Sequence, residues 1–141
     1  MSVAVPAEHD ATTAAPSRRA AVLGSPIAHS LSPVLHNAGY AAVGLAGWSY
    51  GRIESTESEL ARIVGEAGVE YRGFSVTMPA KFAALHFADE ASERARFIGS
   101  ANTLVRTGDG WRADNTDCEG ILAALAELMR DAPIELSLIH I

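Results

Sequence analysis

The regular alternation of short apolar runs with helix-like segments constrains the fold of this chain more than any other feature of its sequence. Each of three strand-like runs is followed by a stretch whose apolar residues recur at helical spacing: strands at 19–24, 48–54 and 71–78, helices at 32–45, 56–68 and 79–89. Strands that alternate with helices form a largely parallel sheet with helices on both faces. This part of the chain therefore predicts an α/β fold.

The pattern changes towards the C-terminus. A short helix is expected at 90–99, and SANTLVRTGDGWRADN (100–115) contains two extended runs joined by the turn sequence TGDG, which indicates a β-hairpin. A last helix follows at 116–131, with Asn115 or Thr116 as its cap. The fold class predicted is a three-layer α/β sandwich with a mostly parallel sheet and a C-terminal antiparallel hairpin.

Charge and residue usage exclude several functional classes. The formal net charge is −6 with basic residues scattered along the chain, so no nucleic-acid partner is expected. No apolar run approaches the ~20 residues of a membrane-spanning helix, so no membrane partner is expected either. The single cysteine, Cys118, excludes an internal disulfide and fits the reducing cytoplasm. His29, His36 and His86 lie on different predicted elements without metal-ligand spacing, so no metal site is expected.

The first eighteen residues differ in composition from the rest of the chain. They are mostly small and polar, with two prolines and two acidic residues. They contain neither an uninterrupted apolar segment nor a basic start, which a secretory signal would need. Residues 1–18 are therefore expected to form a disordered leader.

Polar side chains cluster where the predicted strands end, which is the edge of an α/β sheet at which ligands bind. Ser30 and Ser32 follow the first strand. Two hydroxyls beside the free N–H groups of a helix start can hold a carboxylate or a phosphate. Alternatively, Ser32 is a plain N-cap with Pro33 at the first helical position, and taken alone this second interpretation is the simpler one.

Lys81 is the next candidate, because it lies in the first turn of its predicted helix. A cation there is unfavourable by roughly 0.3–1 kcal/mol. The flanking residues Met78, Pro79 and Phe82 are apolar. A lysine in such a place is suited to proton transfer, but a solvated surface lysine explains the sequence equally well.

Asp117 begins the last predicted helix, where a carboxylate is favoured by the helix dipole. It could serve the dipole alone, accept a hydrogen bond from a substrate hydroxyl, or pair with Lys81 and orient a proton transfer. Asp114 is interpreted as a strand-end residue in contact with solvent. Asn102 is interpreted as a turn residue unless its amide is used by another group.

Four segments, taken in order, resemble the signatures of the substrate-binding half of the shikimate dehydrogenase family. They are GSPIAHSLSP (24–33), GFSVTMPAKF (73–82), IGSANTLV (98–105) and ADNTDCEG (113–120). The resemblance extends over about residues 19–130. It implies an NADP-dependent enzyme of aromatic amino acid (chorismate) biosynthesis in the cytoplasm, which interconverts 3-dehydroshikimate and shikimate.

The same resemblance implies roles for individual substrate-binding residues. Ser30 and Ser32 match the serine pair that binds the substrate carboxylate, and Thr77 matches a threonine that contacts the substrate. Asn102 and Asp117 match residues that bind ring hydroxyls. The expected partner is thus a small acid, shikimate or 3-dehydroshikimate.

The catalytic roles are implied in the same way. Lys81 matches the catalytic lysine, which also contacts the substrate, and Asp117 matches its acidic partner. In the implied reaction the nicotinamide delivers a hydride to the C3 carbonyl while Lys81 supplies the proton and Asp117 fixes the position of the amine. Glu93 falls where the family has an acidic residue near the cofactor.

The sequence departs from the family pattern in one respect. It contains no G-x-G-x-x-G turn, so the NADP-binding Rossmann domain of the family is expected to be missing. We therefore expect residues 131–141 to be a truncated tail and the chain alone to be inactive. A quinate/shikimate dehydrogenase, or a non-catalytic module that binds a shikimate-like acid, remains an alternative, and the oligomeric state stays open.

Overall fold

The structure, a computed structural model, describes residues 17–108 and 110–129. Within them lie six strands and five helices, in the order β1 (Arg18–Gly24), α1 (Ser32–Ala42), β2 (Trp48–Glu54), α2 (Leu60–Gly65), β3 (Tyr71–Val76), α3 (Lys81–Phe87), β4 (Glu90–Ala91), α4 (Glu93–Ile98), β5 (Thr103–Arg106), β6 (Trp111–Asp114) and α5 (Asp117–Leu128). The expected tail, and the expected leader up to residue 16, lie outside the described residues. The leader was expected to extend to Arg18, but this residue already belongs to β1.

The strands form one mixed sheet in the order β2-β1-β3-β5-β6-β4. Neighbouring strands are parallel at β2-β1, β1-β3 and β6-β4, and antiparallel at β3-β5 and β5-β6. Because two successive antiparallel pairings restore the direction, β5 is the one reversed strand in the described sheet. The mostly parallel sheet and the antiparallel hairpin are therefore confirmed, with β5 inserted between β3 and β6.

Helices cover both faces of the sheet, which produces the three layers. Ala21 and Leu23 of β1 belong to the larger core cluster, whereas Val22 between them belongs to a smaller cluster on the opposite face. The larger cluster includes α2 and α3, and full burial of a side chain such as Leu60 contributes about 1.5–3 kcal/mol. The buried residues of this cluster are Ala21, Leu23, Leu60, Val64, Phe74, Val76, Ala80, Ala84, Ala101, Leu104, Trp111 and Ala113.

Helix α1 covers the other face and also closes the edge of the sheet. Its Asn37 donates from Nδ2 to the Tyr50 carbonyl at 2.9 Å and accepts the Tyr50 N–H at 2.9 Å. Tyr50 lies on the edge strand β2, so these backbone groups have no further strand to pair with. The asparagine side chain therefore replaces one rung of a missing strand.

Three local predictions differ from the structure. Ser32 is the first residue of α1, whose cap position is Leu31, so the predicted Ser32 N-cap is wrong. Helix α2 begins only at Leu60 because Thr56 donates from its N–H and its hydroxyl to Glu59 and closes a turn first. Strand β4 pairs with β6 over only two residues, which is too short for a periodic signal.

Gly24 allows the ends of β1 and β3 to approach each other closely. A Cβ atom at this position would overlap Thr77 Cγ2 and lie 3.0 Å from the Met78 carbonyl oxygen. Backbone hydrogen bonds join the same two segments, from Thr77 N–H to the Leu23 carbonyl at 2.8 Å and from Ser25 N–H to the Met78 carbonyl at 3.1 Å. A side chain at residue 24 would therefore push the two strand ends apart.

We predict that Gly24→Ala lowers the free energy of unfolding by about 1–3 kcal/mol, the usual cost of overpacking a close contact. Gly51→Ala is the matched control, because a Cβ there meets no atom within 4 Å. That control should stay within about 0.5 kcal/mol of the parent. Urea unfolding followed by circular dichroism measures both, and equal stability of the two variants would contradict the close approach.

Candidate functional site

A hollow lined by hydroxyl groups lies where β1 and β3 end. Its volume is about 370 Å³, and it is lined by Val22, Ser25, Pro26, Ile27, His29, Ser30, Ser32, Thr77 and Met78. The loop after β1 and the loop after β3 each contain a cis peptide bond, before Pro26 and before Pro79. The structure thus brings Ser30, Ser32 and Thr77, which were predicted as substrate ligands, into one concave site.

The serine pair is arranged differently from a plain helix cap. Ser30 Oγ accepts the Ser32 N–H at 3.3 Å, and Leu31 at the cap position offers no side-chain cap. Because the Ser30 hydroxyl acts there as an acceptor, its own hydrogen is left to donate to a ligand. The hollow therefore combines hydroxyl donors with the start of α1, a combination that favours an anion.

Two side chains of β2 form hydrogen bonds with the loop that carries these serines. Ile27 donates its N–H to Glu54 Oε2 at 3.1 Å, and Arg52 Nη1 donates to the Ala28 carbonyl. Both side chains lie at the end of β2, next to the end of β1 in the parallel pairing. The shape of the hollow thus depends on two charged residues that do not line it.

A second group of polar side chains joins α3, the start of β5 and the first turn of α5. Lys81 Nζ donates to Asp117 Oδ2 at 2.6 Å, and Asn102 Nδ2 donates to Asp117 Oδ1 at 2.7 Å. The Lys81 side chain is 28% exposed and that of Asp117 44% exposed, so a ligand can reach both. We call Lys81, Asn102 and Asp117 the polar triad.

Backbone contacts set the geometry of the polar triad. Asn102 Oδ1 accepts the Thr116 N–H at 3.2 Å, which turns the amide nitrogen towards Asp117. Asn115 Oδ1 accepts the Asp117 N–H at 3.0 Å and so caps α5 in place of the Thr116 hydroxyl. Asn102 is therefore more than a turn residue, because its amide connects β5 to α5.

The charge state of Asp117 follows from these contacts. The hydrogen bond from Lys81 is the main cause that lowers the pKa of Asp117 below its ordinary value, and the Asn102 hydrogen bond adds to the effect. Partial burial acts in the opposite direction but does not cancel the two bonds. At neutral pH Asp117 is a carboxylate that accepts hydrogen bonds and orients the Lys81 amine.

The hydroxyl-lined hollow and the polar triad occupy the same edge of the sheet. Lys81 lines a second hollow of about 440 Å³, together with Glu57, Met78, Pro79, Phe82 and Ser100. Met78 borders both hollows. One ligand could therefore place an anionic group among the serines and a carbonyl or hydroxyl group near the Lys81 amine.

One cluster at this edge was missed in the sequence. Arg94 donates from Nε to Asp114 Oδ1 at 2.6 Å and from Nη2 to Oδ2 at 2.5 Å. Asp114 ends β6 as predicted and its side chain is still 25% exposed, but its ion pair with Arg94 was not predicted. A usable signal existed, since Arg94 is a cation in the first turn of a helix, as Lys81 is.

Glu93 is not brought to the site. It begins α4 and is exposed, and among the described residues it makes no hydrogen bond or ion pair and lines neither hollow. Its role near a cofactor stays a prediction. No group of three or more potential metal ligands occurs in residues 17–108 and 110–129. None of the helices in that part of the chain combines the length and apolar character needed to cross a bilayer.

The fold and the polar edge have clear relatives among known proteins. A family model described as the shikimate dehydrogenase substrate binding domain matches residues 22–104. The chain therefore belongs to the shikimate dehydrogenase family through its substrate-binding domain. The match includes the first two of the four segments identified in the sequence and the third up to residue 104, whereas ADNTDCEG (113–120) lies beyond it.

Individual relatives support the assignment. A Caulobacter vibrioides shikimate dehydrogenase (NADP(+)) is 45% identical over 106 residues, which are 74% of this chain and 37% of the relative. A Microcystis aeruginosa shikimate dehydrogenase (NADP(+)) is 40% identical over 78% of this chain and 38% of its own length. The chain thus spans about 38% of the length of such relatives.

Solved structures of shikimate dehydrogenases superpose on this chain and support the same family. Mycobacterium tuberculosis shikimate dehydrogenase superposes with a TM-score of 0.75 at 61% identity, over 77% of this chain and 42% of that protein. The Thermus thermophilus enzyme in complex with NADP(H) and shikimate superposes with a TM-score of 0.73 at 37% identity, over 78% of this chain and 42% of that protein.

We predict that the ion pair of Asp114 makes the stability of the fold depend on pH in the acid range. Hydrogen bonds from Arg94, then Ser92 and the Asn115 N–H, hold the pKa of Asp114 well below its usual range. The stabilisation is fully present above the unfolded-state pKa of about 3.9 and is lost as the pH falls through the folded-state value. Asp114→Asn should therefore be less stable than the parent at pH 7, by a margin that shrinks at low pH.

Urea unfolding at pH 7 and at pH 3 measures this margin. Glu127→Gln is the control, since Glu127 is exposed near the far end of α5 and its side chain has no hydrogen-bond partner among the described residues. It should stay within about 0.5 kcal/mol of the parent. A margin for Asp114→Asn that is the same at both pH values would argue against the ion pair.

Proposed function

We propose that this chain is the substrate-binding part of an NADP-dependent shikimate dehydrogenase, which reduces 3-dehydroshikimate to shikimate. The observation that carries the proposal is the polar triad beside a hydroxyl-lined hollow at one edge of the sheet. A substrate that is both an acid and a polyhydroxylated ring suits this pairing of sites. The solved relative in complex with NADP(H) and shikimate supports the same choice of ligands.

The substrate carboxylate is assigned to the hydroxyl-lined hollow. Ser30, Ser32 and Thr77 offer hydroxyl donors there, and hydrogen bonds to a charged acceptor are stronger than neutral ones. The ring hydroxyls are assigned to Asn102 and Asp117, whose amide and carboxylate provide a donor and an acceptor. With the carboxylate bound at one end, rotation of the ring is restricted and its C3 group is held towards Lys81.

Proton transfer is assigned to Lys81. In the direction of reduction the Lys81 ammonium donates a proton to the alkoxide oxygen that forms from the C3 carbonyl. In the reverse direction the Lys81 amine accepts the proton of the C3 hydroxyl. Asp117 holds the amine through the 2.6 Å hydrogen bond and balances its charge. Asp117 also keeps the amine from rotating away from the substrate, so that the proton is delivered from one direction.

The cofactor is assigned mainly to residues that this chain does not contain. NADP supplies the hydride in this class of reaction. The sequence has no glycine-rich strand-to-helix turn for a pyrophosphate, and Glu93 alone cannot hold a dinucleotide. We therefore propose that the 141-residue chain by itself binds substrate but does not turn it over.

We predict that the chain binds shikimate and that Ser30→Ala combined with Ser32→Ala weakens binding roughly tenfold or more, because donors to a charged group are removed. Isothermal titration calorimetry measures the dissociation constant. Ser49→Ala is the control, because Ser49 lies on β2 opposite Arg19, at the other end of the strand from the site. Equal affinity of the double variant and the control would exclude the carboxylate assignment.

The same titration with quinate separates the two members of the family that the sequence leaves open. Tighter binding of quinate than of shikimate would favour a quinate/shikimate dehydrogenase. A non-catalytic binding module would bind shikimate but would remain inactive even when a cofactor domain is supplied, as in the next experiment.

We predict that the chain alone does not oxidise NADPH in the presence of 3-dehydroshikimate, and that fusion to the cofactor domain of a relative produces turnover. In the fusion, Lys81→Met should lower kcat about 100-fold or more with a smaller change in KM, because general acid–base catalysis is lost. Absorbance at the NADPH band measures the rate. Clear turnover by the chain alone, or parallel changes of kcat and KM, would count against these assignments.

A further inference from the structure

Helix α5 carries Asp117 but is poorly anchored by apolar packing. None of its residues is buried among the described part of the chain, and Ile121, Leu122 and Leu128 are exposed. Hydrophobic burial, which normally orients a helix, therefore does not determine where its first turn lies. The orientation of Asp117 must come from polar contacts near that turn.

Besides Lys81 and Asn102, Arg94 joins the first turn of α5 to the rest of the fold. Its Nε and Nη2 bind both oxygens of Asp114 at the end of β6, and its Nη1 donates to Glu119 Oε1 in the first turn of α5. The guanidinium group is planar, so contacts from its three nitrogens to two carboxylates fix the relative positions of Asp114 and Glu119. A lysine at this position could supply the charge but not the fork.

Arg94 itself projects from a well-anchored helix. Ser92 caps α4 by accepting the Ala95 N–H at 3.2 Å, and it donates its hydroxyl to Asp114 Oδ1 at 2.6 Å. Ala95, on the inner side of the same turn, is fully buried. The chain of contacts therefore runs from the core, through α4 and Arg94, to the turn that contains Asp117.

Arg94 also balances the charge of two carboxylates that lie close to Asp117 in the sequence. Asp114, Asp117 and Glu119 place three carboxylates within six residues. Arg94 forms ion pairs with two of them and Lys81 with the third.

From these contacts we infer that Arg94 is a positioning residue for the polar triad: it holds the first turn of α5 where the Asp117 carboxylate meets the Lys81 amine. The importance of Arg94 for catalysis rests on the proposed function, whereas its effect on the position of Asp117 does not. Arg94 is not a catalytic residue, since it lines neither hollow and contacts no triad side chain.

The sequence provides a selective probe for this inference. Lys81 is the single lysine of the chain, so labelling with ¹⁵N-lysine produces one side-chain amine signal in the NMR spectrum. The exchange of its Nζ hydrogens with water reports whether the amine is held by Asp117. Asp117→Asn defines the exchange rate of the released amine.

We predict that Arg94→Met moves the Lys81 exchange rate roughly fivefold or more towards the Asp117→Asn value, as expected for loss of a contact of ordinary strength. The Lys81 exchange rate in Arg94→Lys should lie between the rates in Arg94→Met and in the parent, because lysine restores the charge but not the planar fork. The matched control is Arg96→Met, since Arg96 is exposed on the same helix and its side chain makes no hydrogen bond or ion pair among the described residues. Its exchange rate should equal that of the parent.

A folded Arg94→Met protein with the exchange rate of the parent would overturn the inference. Where Arg94→Met fails to fold, Glu119→Met decides, because it removes the acceptor that Arg94 Nη1 binds on α5 and leaves the contacts to Asp114 in place. If the Lys81 exchange rate in this variant shifts towards the rate in Asp117→Asn, the positioning role is supported. If the rate equals that of the parent, the inference is overturned. The measurement needs neither shikimate nor NADP, so failure to bind shikimate would contradict the proposed function alone.

Discussion

The ion pair between Lys81 and Asp117 connects two helices that lie far apart in the sequence, and the site depends on their meeting. Lys81 begins α3, which follows β3, while Asp117 begins α5, which follows β6. Because β5 runs in the reverse direction between β3 and β6, both of those strands end at the same edge of the sheet. The reversed strand thus brings the amine and the carboxylate together, and Asn102, directly before its first residue, donates a hydrogen bond to the carboxylate.

The stability that this pair contributes is small, since partly exposed pairs are typically worth about 0–1 kcal/mol. The fold is stabilised instead by burial on the two faces of the sheet, with Leu23, Leu60 and Leu104 fully enclosed. The polar residues at the edge are therefore available for function. Glu54 and Arg52 shape the serine loop, and Arg94 shapes the first turn of α5, so each half of the site is supported by charged residues outside it.

Much of the secondary structure could be predicted from the sequence. The strand-like runs at 19–24 and 48–54 match β1 and β2 within one residue, because β1 is a short apolar run that ends at a glycine and the β2 sequence alternates as a strand should. Local competition caused the errors. A Thr56–Glu59 turn delays α2, and a hydrogen bond to Ser30 replaces the Ser32 cap. The ion pair of Asp114 was missed because its partner Arg94 lies twenty residues earlier, beyond the range of any local pattern.

The sequence by itself determined the fold class, the family, and the polar residues at one edge of the sheet, since these follow from local periodicity and from four short motifs. The tertiary structure alone decided which of those residues touch. The sequence leaves two interpretations of Lys81 equally good and gives no sign of its 2.6 Å contact with Asp117, or of the contacts that Arg94 makes with Asp114 and Glu119. Side-chain contacts across a sheet depend on strand order and direction, which no local stretch of sequence encodes.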